Sequence, residues 1–228
     1  MKAVIFDMFE TLVTLNSASP YFGRNIAMDL GVDAEEFYPL WHAMDEAYSK
    51  GKMKFEDVLA WIGERMVYTY PERIPEIIKK RYAFKAACVD RVEDRIVSLL
   101  RELKERGYQI GLISNCYEEE ALAIRACALA PYFDVMLLSC EVGMQKPELG
   151  IFNRCLTELS VKPEECLYVG DGGSRELETA RSLGMKTLQA GWFLKKQQED
   201  WRKEGFDGAE EPEEVLAVAE ALAERCNK

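Results

Sequence analysis

Four segments of the sequence carry polar residues directly or shortly after an apolar run, and their side chains are of types that bind or react with ligands. Asp7 follows AVIF, Ser114 and Asn115 follow GLI, Lys146 comes shortly after MLLS, and Asp171 follows YVG. Taken singly, each has an ordinary structural explanation as a turn former or a solvated lysine. Because ligands of parallel sheets bind outside the carboxyl ends of the strands, the four segments together predict a binding site at one sheet edge.

The elements that must position these residues alternate between helix and strand after Cys88. Apolar residues at helical spacing run from Val92 to Leu103, the pattern stops at Gly107, and QIGLISN then has the composition of a buried strand. Three further cycles predict helices over about 118–129, 147–159 and 174–183, followed by strands in DVMLLS, ECLYVGD and MKTLQAG. With AVIFD as a further strand, the alternation predicts an α/β fold whose parallel sheet is covered by helices on both faces.

The segment from about residue 16 to residue 87 breaks this alternation. Its helix-length patterns cover about 21–30, 34–49, 55–68 and 75–87, and it contains no convincing strand. Turn signals at Gly31, Gly51 and Pro71 separate these patterns. The sequence therefore predicts an all-helical insertion after the first strand, and PEEVLAVAEALAERC predicts a final helix.

Composition restricts the class of protein. The chain has 228 residues, 48% of them hydrophobic, and a net charge of -11, whereas nucleic-acid-binding proteins need clustered Lys and Arg. No run approaches the roughly 18 apolar residues of a membrane span, and no secretory leader is evident, so we expect a cytoplasmic protein with neither nucleic-acid nor membrane partners. Seven cysteines, an odd number without a CxxC pair, predict buried reduced thiols.

The segments FDMFETL, LISN, QKPELGIF and YVGDGGSRE occur in this order over nearly the whole chain, and the set resembles the motifs of the haloacid dehalogenase-like (HAD) hydrolase superfamily. The resemblance implies a Rossmann-like, doubly wound parallel sheet with an inserted all-helical cap domain. On that basis residues 1–15 and 88–228 form the core domain and residues 16–87 form the cap. The four motifs are specific for the superfamily and carry little information about the substrate.

The resemblance also implies roles for the polar residues at the sheet edge. Asp7 is the catalytic nucleophile, which attacks phosphorus to give an aspartyl-phosphate that water then cleaves. Ser114 and Lys146 are catalytic residues that bind the transferring group, and Lys146 offsets the repulsion between Asp7 and an anionic substrate. Asn115 joins Ser114 and Lys146 in binding the substrate, which the resemblance implies is a small, phosphorylated molecule.

A magnesium site is implied in the same way. Asp171 and Asp7 supply carboxylate oxygens to Mg²⁺, and Phe9 supplies its backbone carbonyl. Glu176 occupies a position where many members of the superfamily carry a further acid that holds a metal-bound water. A carboxylate in the first turn of a helix is favourable for electrostatic reasons as well, so both interpretations of Glu176 remain open.

Phe9 departs from the pattern of the superfamily's phosphatases, which usually carry an aspartate as general acid and base two residues after the nucleophile. A positioned acid or base contributes about 10²- to 10⁴-fold, so its loss slows catalysis without abolishing it. Glu10 is a poor replacement, because in an extended chain it would point to the opposite side from Phe9. His42 lies in the predicted cap, and its unperturbed pKa would suit an acid, although a single histidine there is usually packed or solvated.

Three functions fit these residues. The leading prediction is a Mg²⁺-dependent phosphomonoester hydrolase. A 2-haloacid dehalogenase, whose branch often has an aromatic residue at this position, is the enzyme alternative, although Gly170 and Asp171 are not expected in its fourth motif. A third possibility is a phospho-ligand-binding protein with weak activity. The phosphonate-cleaving branch uses a cap lysine, but the lysines in KGKMK, residues 50–54, more often form a solvated face.

Overall fold

A computed structural model of the chain describes residues 1–196 and 200–226. Its sheet contains six parallel strands in the order β3-β2-β1-β4-β5-β6. The strands are β1 (Ala3–Phe6), β2 (Gln109–Ser114), β3 (Val135–Leu138), β4 (Cys166–Gly170), β5 (Lys186–Ala190) and β6 (Gly208–Ala209). The helices are α1 (Gly23–Leu30), α2 (Ala34–Ser49), α3 (Phe55–Gly63), α4 (Ile74–Asp90), α5 (Asp94–Glu105), α6 (Glu118–Ala126), α7 (Ser139–Val142), α8 (Leu149–Leu159), α9 (Glu176–Ser182) and α10 (Glu214–Cys226). This strand order is that of a Rossmann-like, doubly wound sheet, and it confirms the predicted α/β fold.

The strands are apolar on both faces because helices cover both. Within β1, Val4 and Phe6 belong to the core that packs under α5 and α10, whereas Ala3 and Ile5 face α8 and α9 on the other side. Successive side chains of a strand point to opposite faces, so a continuous apolar run is required for a strand covered twice. The run AVIF therefore encodes a central strand.

The structure contains all five predicted strands. It differs from the sequence prediction in two short elements and in the ends of two helices. β6 has two residues and α7 has four, which is too short for a detectable period. The helix predicted to extend to residue 68 ends at Gly63, and the helix predicted from Pro147 begins at Leu149. Such boundaries depend on capping and packing, which hydrophobic periodicity does not report.

Residues 16–87 form helices and no strand, as predicted, and all of them are described by the structure. These helices bury a core of their own, which includes Ile26, Phe37, Phe55 and Ile62 and is separate from the two cores under the sheet. The last helix, α4, extends to Asp90, three residues past the predicted end of the insertion. A shared apolar cluster holds these helices against one another.

Two composition-based expectations can be compared with the structure. Among residues 1–196 and 200–226, no helix has both the length and the apolarity that a membrane span requires. The six cysteines whose side chains are described are unpaired, and all but Cys140 are buried, as predicted. The seventh, Cys226, lies outside the described side chains.

Candidate active site

The strand order brings the ends of β1, β2 and β4 together at one edge of the sheet. The central strand β1 pairs with β2 on one side and with β4 on the other, and the backbone N–H of Asp7 donates to the carbonyl of Val169 at 2.9 Å. Asp7 therefore lies between Ser114, the last residue of β2, and Asp171, which follows β4. This edge is also where the order of the strands reverses, the usual ligand-binding position of a doubly wound sheet.

Lys146 reaches into this edge from the loop that precedes α8. Its ammonium donates to a carboxylate oxygen of Asp7 and to one of Glu176. The side chains of the three residues are between 1% and 8% exposed, so the charges are removed from water. A buried lysine must be paired, and here it joins two carboxylates from different elements.

Glu176, the first residue of α9, is completely buried and belongs to the site. One of its oxygens accepts from the backbone N–H of Gly172 at 3.1 Å, and the other accepts from Tyr168 at 3.3 Å in addition to Lys146. Gly170 permits this approach, because a Cβ at that position would collide with the Glu176 carboxylate. The structure thus places the Glu176 side chain beside Lys146, whereas the sequence left its position open.

The electrostatics of the site reflect an excess of negative charge. Burial and the nearby Glu176 carboxylate together raise the pKa of Asp7 to about 8, against the opposing effect of Lys146. Burial and the Glu176 carboxylate likewise raise the pKa of Asp171 to about 6. The pKa of Lys146 is raised because attraction to Asp7 and Glu176 outweighs the effect of burial. The protein alone therefore leaves the carboxylates incompletely neutralised.

A hard divalent cation fits this donor set. Carboxylate oxygens of Asp7, Asp171 and Glu176 all lie within 4.8 Å of one another. Mg²⁺ prefers such oxygens, usually one or two carboxylates together with waters and substrate oxygens. A cation here would also balance the charge that raises the pKa values of Asp7 and Asp171.

Ser114 and Asn115 lie beside this cluster. Ser114 is completely buried. Within the described residues its hydroxyl donates one hydrogen bond, a long one of 3.5 Å to the carbonyl of Asn115. The Asn115 side chain accepts from the backbone N–H of Lys146 at 2.7 Å and donates to the carbonyl of Lys146 at 2.9 Å. Asn115 thus fixes the loop that carries Lys146, a structural contact that sequence analysis did not predict.

From the sequence, Glu10 and His42 are the two candidates to replace the acid missing at Phe9. The expectation of an extended chain at Glu10 is wrong, because Glu10 has a φ of 55° and its carboxylate accepts from Thr14 at 2.9 Å. His42 is 64% exposed and contacts Asp45 at 2.8 Å. His42 does not line the cavity described next, although its neighbours Trp41 and Asp45 do. The structure therefore does not bring His42 to the sheet edge.

A cavity of about 490 Å³ lies between the helical segment and the sheet edge. Phe9, Asn115 and Gln145 contribute to its floor, and each is one or two residues from Asp7, Ser114 or Lys146 in sequence. Its walls come from both parts of the chain and combine aromatic with charged side chains: Phe22, Tyr38, Trp41 and Tyr117 line it together with Asp45, Glu46, Arg81, Lys85 and Glu120. Asp7, Ser114 and Lys146 do not themselves line this cavity, but a sequence neighbour of each one does.

Two buried cations in the cavity wall were missed by sequence analysis. Arg81 and Lys85 on α4 pair with Glu119 and Glu120 on α6 at 2.9 and 2.5 Å, and all four side chains are at most 5% exposed. A detectable signal existed in the sequence. Arg81 and Lys85 share the buried face of α4 with the apolar residues around them, and a charge at such a position indicates a buried partner or a ligand.

Comparison with known proteins gives matches over most of the chain. The family model of haloacid dehalogenase-like hydrolases matches residues 1–184. Pyrophosphatase PpaX of Bacillus velezensis is 27% identical over 203 residues, covering 86% of this chain and 85% of that protein. Glyceraldehyde 3-phosphate phosphatase of Methanopyrus kandleri is 26% identical over 199 residues, 83% of each chain. Bifunctional epoxide hydrolase 2 of Mus musculus is 30% identical over 152 residues, 63% of this chain and 27% of that longer protein.

Solved structures share the fold at lower identity. A HAD phosphatase from Thermococcus onnurineus has a TM-score of 0.66 at 20% identity and covers 96% of this chain and 97% of its own. The L-2-haloacid dehalogenase RSc1362 has a TM-score of 0.65 at 17% identity, with coverages of 96% and 99%. A HAD family enzyme of Bacteroides thetaiotaomicron, solved with magnesium and inorganic phosphate, has a TM-score of 0.59 at 19% identity, with coverages of 83% and 94%.

Proposed function

The chain belongs to the haloacid dehalogenase-like hydrolase family, and we propose that it is a Mg²⁺-dependent phosphatase that transfers the phosphoryl group of a small molecule to Asp7 and then to water. The observation that carries this proposal is the cluster of three carboxylates, Asp7, Asp171 and Glu176, around a buried Lys146. A nucleophile, a cation for the phosphoryl oxygens and a set of metal ligands therefore occupy one sheet edge.

Each side chain of the site has a separate role in the proposed reaction. Asp7 attacks phosphorus, and its position on the central strand fixes the direction of attack. Lys146 and the Ser114 hydroxyl bind the phosphoryl oxygens, while Asn115 holds the Lys146 loop in place. Glu176 orients the Lys146 ammonium from the other side. The contacts of Asn115 and Glu176 with Lys146 exist without substrate, so Lys146 needs little reorganisation during the reaction.

Mg²⁺ would be held by Asp7, Asp171 and the Phe9 backbone carbonyl, with Glu176 as a further carboxylate at the same place. When bound, it would neutralise charge on the phosphoryl oxygens and so weaken their repulsion of Asp7. Water must be positioned to cleave the aspartyl-phosphate, and Asp171 and Glu176 are the available acceptors for that purpose.

One residue favours a second function, hydrolysis of a 2-haloacid. Phe9 is aromatic where the superfamily's phosphatases usually have an acid, and 2-haloacid dehalogenases often share this feature. An Asp7 ester with carbon needs no metal, however, and a dehalogenase would have no evident use for Asp171 beside Asp7. The carboxylate cluster therefore favours the phosphatase over the dehalogenase.

We also propose that residues 16–87 act as a cap domain and that the substrate's leaving group occupies the cavity beneath it. Support comes from the separate apolar core of this segment and from the cavity, which both parts of the chain line. The unpaired thiols fit a reducing compartment, so we propose a cytoplasmic location.

The test compares phosphate release from aryl and alkyl phosphates with halide release from 2-haloacids, each with and without Mg²⁺. Phosphate release that requires Mg²⁺ supports the proposal. Halide release without metal, together with no phosphate release, would replace it with the dehalogenase. No release of either product, with phosphate binding retained, would leave a phospho-ligand-binding protein.

A further inference from the structure

Lys85 is a buried ammonium group at the boundary between the cavity and the residue that replaces the usual acid. It lies on α4, it is 3% exposed, and it lines the cavity together with Phe9. Its Nζ lies 5.9 Å from the centre of the Phe9 ring, 5.8 Å from that of Phe22 and 5.3 Å from that of Phe84. The positive charge is thus held among aromatic rings, with one face towards the cavity.

The protein provides Lys85 with a single charged partner among the described residues. One oxygen of Glu120 forms an ion pair with Lys85 at 2.5 Å, and the other oxygen accepts from the backbone N–H of Tyr117 at 2.9 Å. An ammonium has three donors, and aromatic faces attract its charge without accepting a full hydrogen bond. Lys85 therefore retains donor capacity towards an acceptor oxygen in the cavity.

The location of this donor relative to the chemistry follows from Phe9. Phe9 stands two residues after Asp7, where the superfamily's phosphatases usually carry the general acid, and it lines the cavity. Because Phe9 and Lys85 line the same cavity, with the Lys85 Nζ 5.9 Å from the centre of the Phe9 ring, a leaving group that extends from Asp7 past Phe9 into this cavity would pass beside the ammonium. Because the Lys85 side chain is largely buried, a charged hydrogen bond that it donates is stronger than the same bond in water.

From these contacts we propose that Lys85 donates a hydrogen bond to the leaving oxygen of the substrate and partly replaces the acid that Phe9 lacks. The inference rests on the proposed phosphatase function and adds a catalytic residue to it. The aromatic residues of the lining suit a leaving group that carries a ring, and Asp45, Glu46 and Glu120 disfavour one with a further negative charge.

The step balances without a further reactant. An oxygen of Asp7 forms a bond to phosphorus as the bond from phosphorus to the ester oxygen breaks, and the electron pair of that bond remains on the leaving oxygen. Lys85 stabilises the resulting negative charge, and solvent supplies the proton that completes the alcohol. Water then cleaves the aspartyl-phosphate, so one water is consumed for each ester.

The experiment measures chemical-step rates for phosphate monoesters that range from nitrophenyl to alkyl. Lys85→Met/Glu120→Gln removes the donor without leaving Glu120 charged and unpaired. We expect alkyl esters to slow by about 10²-fold and 4-nitrophenyl phosphate by less than about threefold, because only poor leaving groups need the donor. Lys85→Arg, which keeps the cation, should restore a dependence on leaving-group pKa close to that of the wild type.

The matched control is Arg81→Met/Glu119→Gln, which removes the neighbouring ion pair one helical turn away. The Arg81 guanidinium lies over the rings of Trp41, Phe55 and Tyr117, whereas Lys85 lies over that of Phe9. Its loss should change all esters by the same factor. If the Lys85 variant also slows all esters equally while its melting temperature shows a folded protein, the assignment is overturned. If the wild type releases no phosphate from any ester, the proposed function fails instead.

Discussion

At the scale of single residues, the site concentrates more negative charge than the protein neutralises. Asp7, Asp171 and Glu176 share one ammonium, that of Lys146, in a largely buried place. The raised pKa values of Asp7 and Asp171 record this imbalance. Such an arrangement costs stability in the free protein and favours a bound cation.

Replacing Asp7 with asparagine tests the nucleophile. Asp7→Asn keeps the shape of the side chain and removes the attacking oxygen, so phosphate release should fall by about 10⁴-fold or more, as expected when a covalent nucleophile is lost. The fold should be retained, because the substitution removes one of three like charges. Phosphate release and the melting temperature of the same sample are the measurements.

Glu10→Gln is the matched control for Asp7→Asn. Glu10 is an acid three residues further on whose carboxylate accepts from Thr14 and from the backbone N–H of Leu15. Its activity should stay close to that of the wild type. Substantial turnover by a purified, folded Asp7→Asn protein would contradict the assignment of Asp7.

Phe9 leads to a prediction about leaving groups. Without a full general acid, aryl and acyl phosphates should react faster than alkyl phosphates by roughly 10²- to 10⁴-fold. Phe9→Asp should narrow this gap by accelerating the alkyl esters most. The measurement is the slope of the logarithm of the chemical-step rate against leaving-group pKa.

Lys85 affects the result expected for Phe9→Asp, because its ammonium lies near the position of the new carboxylate and favours the ionised form. Equal rates for alkyl and aryl esters in the wild type would show that a protein group already supplies full proton transfer. In that case Phe9 would not limit the reaction.

At the scale of elements, α4 and α6 are joined by buried ion pairs. Arg81 pairs with Glu119, which also accepts from Tyr48 at 2.6 Å, and burial raises the pKa of Glu119 although Arg81 opposes the shift. These contacts link the helical segment to the helix that follows β2. Removing one partner leaves an uncompensated charge, whereas removing both charges is much less damaging.

Arg81→Met should therefore lower the free energy of unfolding by about 3–5 kcal/mol, and Arg81→Met/Glu119→Gln should recover most of that loss. Arg154→Met is the control, because its pair with Glu158 is nearly half exposed and contributes at most about 1 kcal/mol. Denaturant unfolding measures the free energy of unfolding of all three variants. A double variant as unstable as the single one would show that packing of the Arg81 side chain, and not its charge, stabilises the contact.

At the scale of the whole molecule, the proposed metal site joins segments that are more than 160 residues apart in sequence, from Asp7 to Asp171 and Glu176. A ligand that binds only the folded state stabilises it, by about 2.7 kcal/mol at a concentration of 100 times its Kd. Mg²⁺ should therefore raise the melting temperature of the wild type.

Asp171→Asn should weaken Mg²⁺ binding in calorimetry and remove most of this shift in melting temperature. Glu178→Gln is the control, because Glu178 lies on α9 near Glu176 but pairs with Lys203 at 2.6 Å. Mg²⁺ should raise the melting temperature of Glu178→Gln as much as that of the wild type. Equal Mg²⁺ affinity for the wild type and Asp171→Asn would remove Asp171 from the metal site.

The sequence by itself determined the sheet and the edge at which function is expected. Apolar runs long enough for strands buried on both faces alternate with helical periods, and these local patterns predict a parallel α/β sheet. Since polar residues at strand ends meet at one edge, the proximity of Asp7, Ser114 and Asp171 could be predicted from position alone. Their chemical roles remain predictions.

Only the tertiary structure decided which charges are buried and what they face. From the sequence, Glu176 could have been an exposed residue in the first turn of a helix. In the structure its carboxylate packs against Gly170, which has no Cβ, and accepts from Lys146. Arg81 meets its partner 38 residues further along the chain, a contact that no local period encodes. Hydrophobic periodicity reports which face of an element is buried, whereas the pairing of charges across elements depends on how those faces pack together.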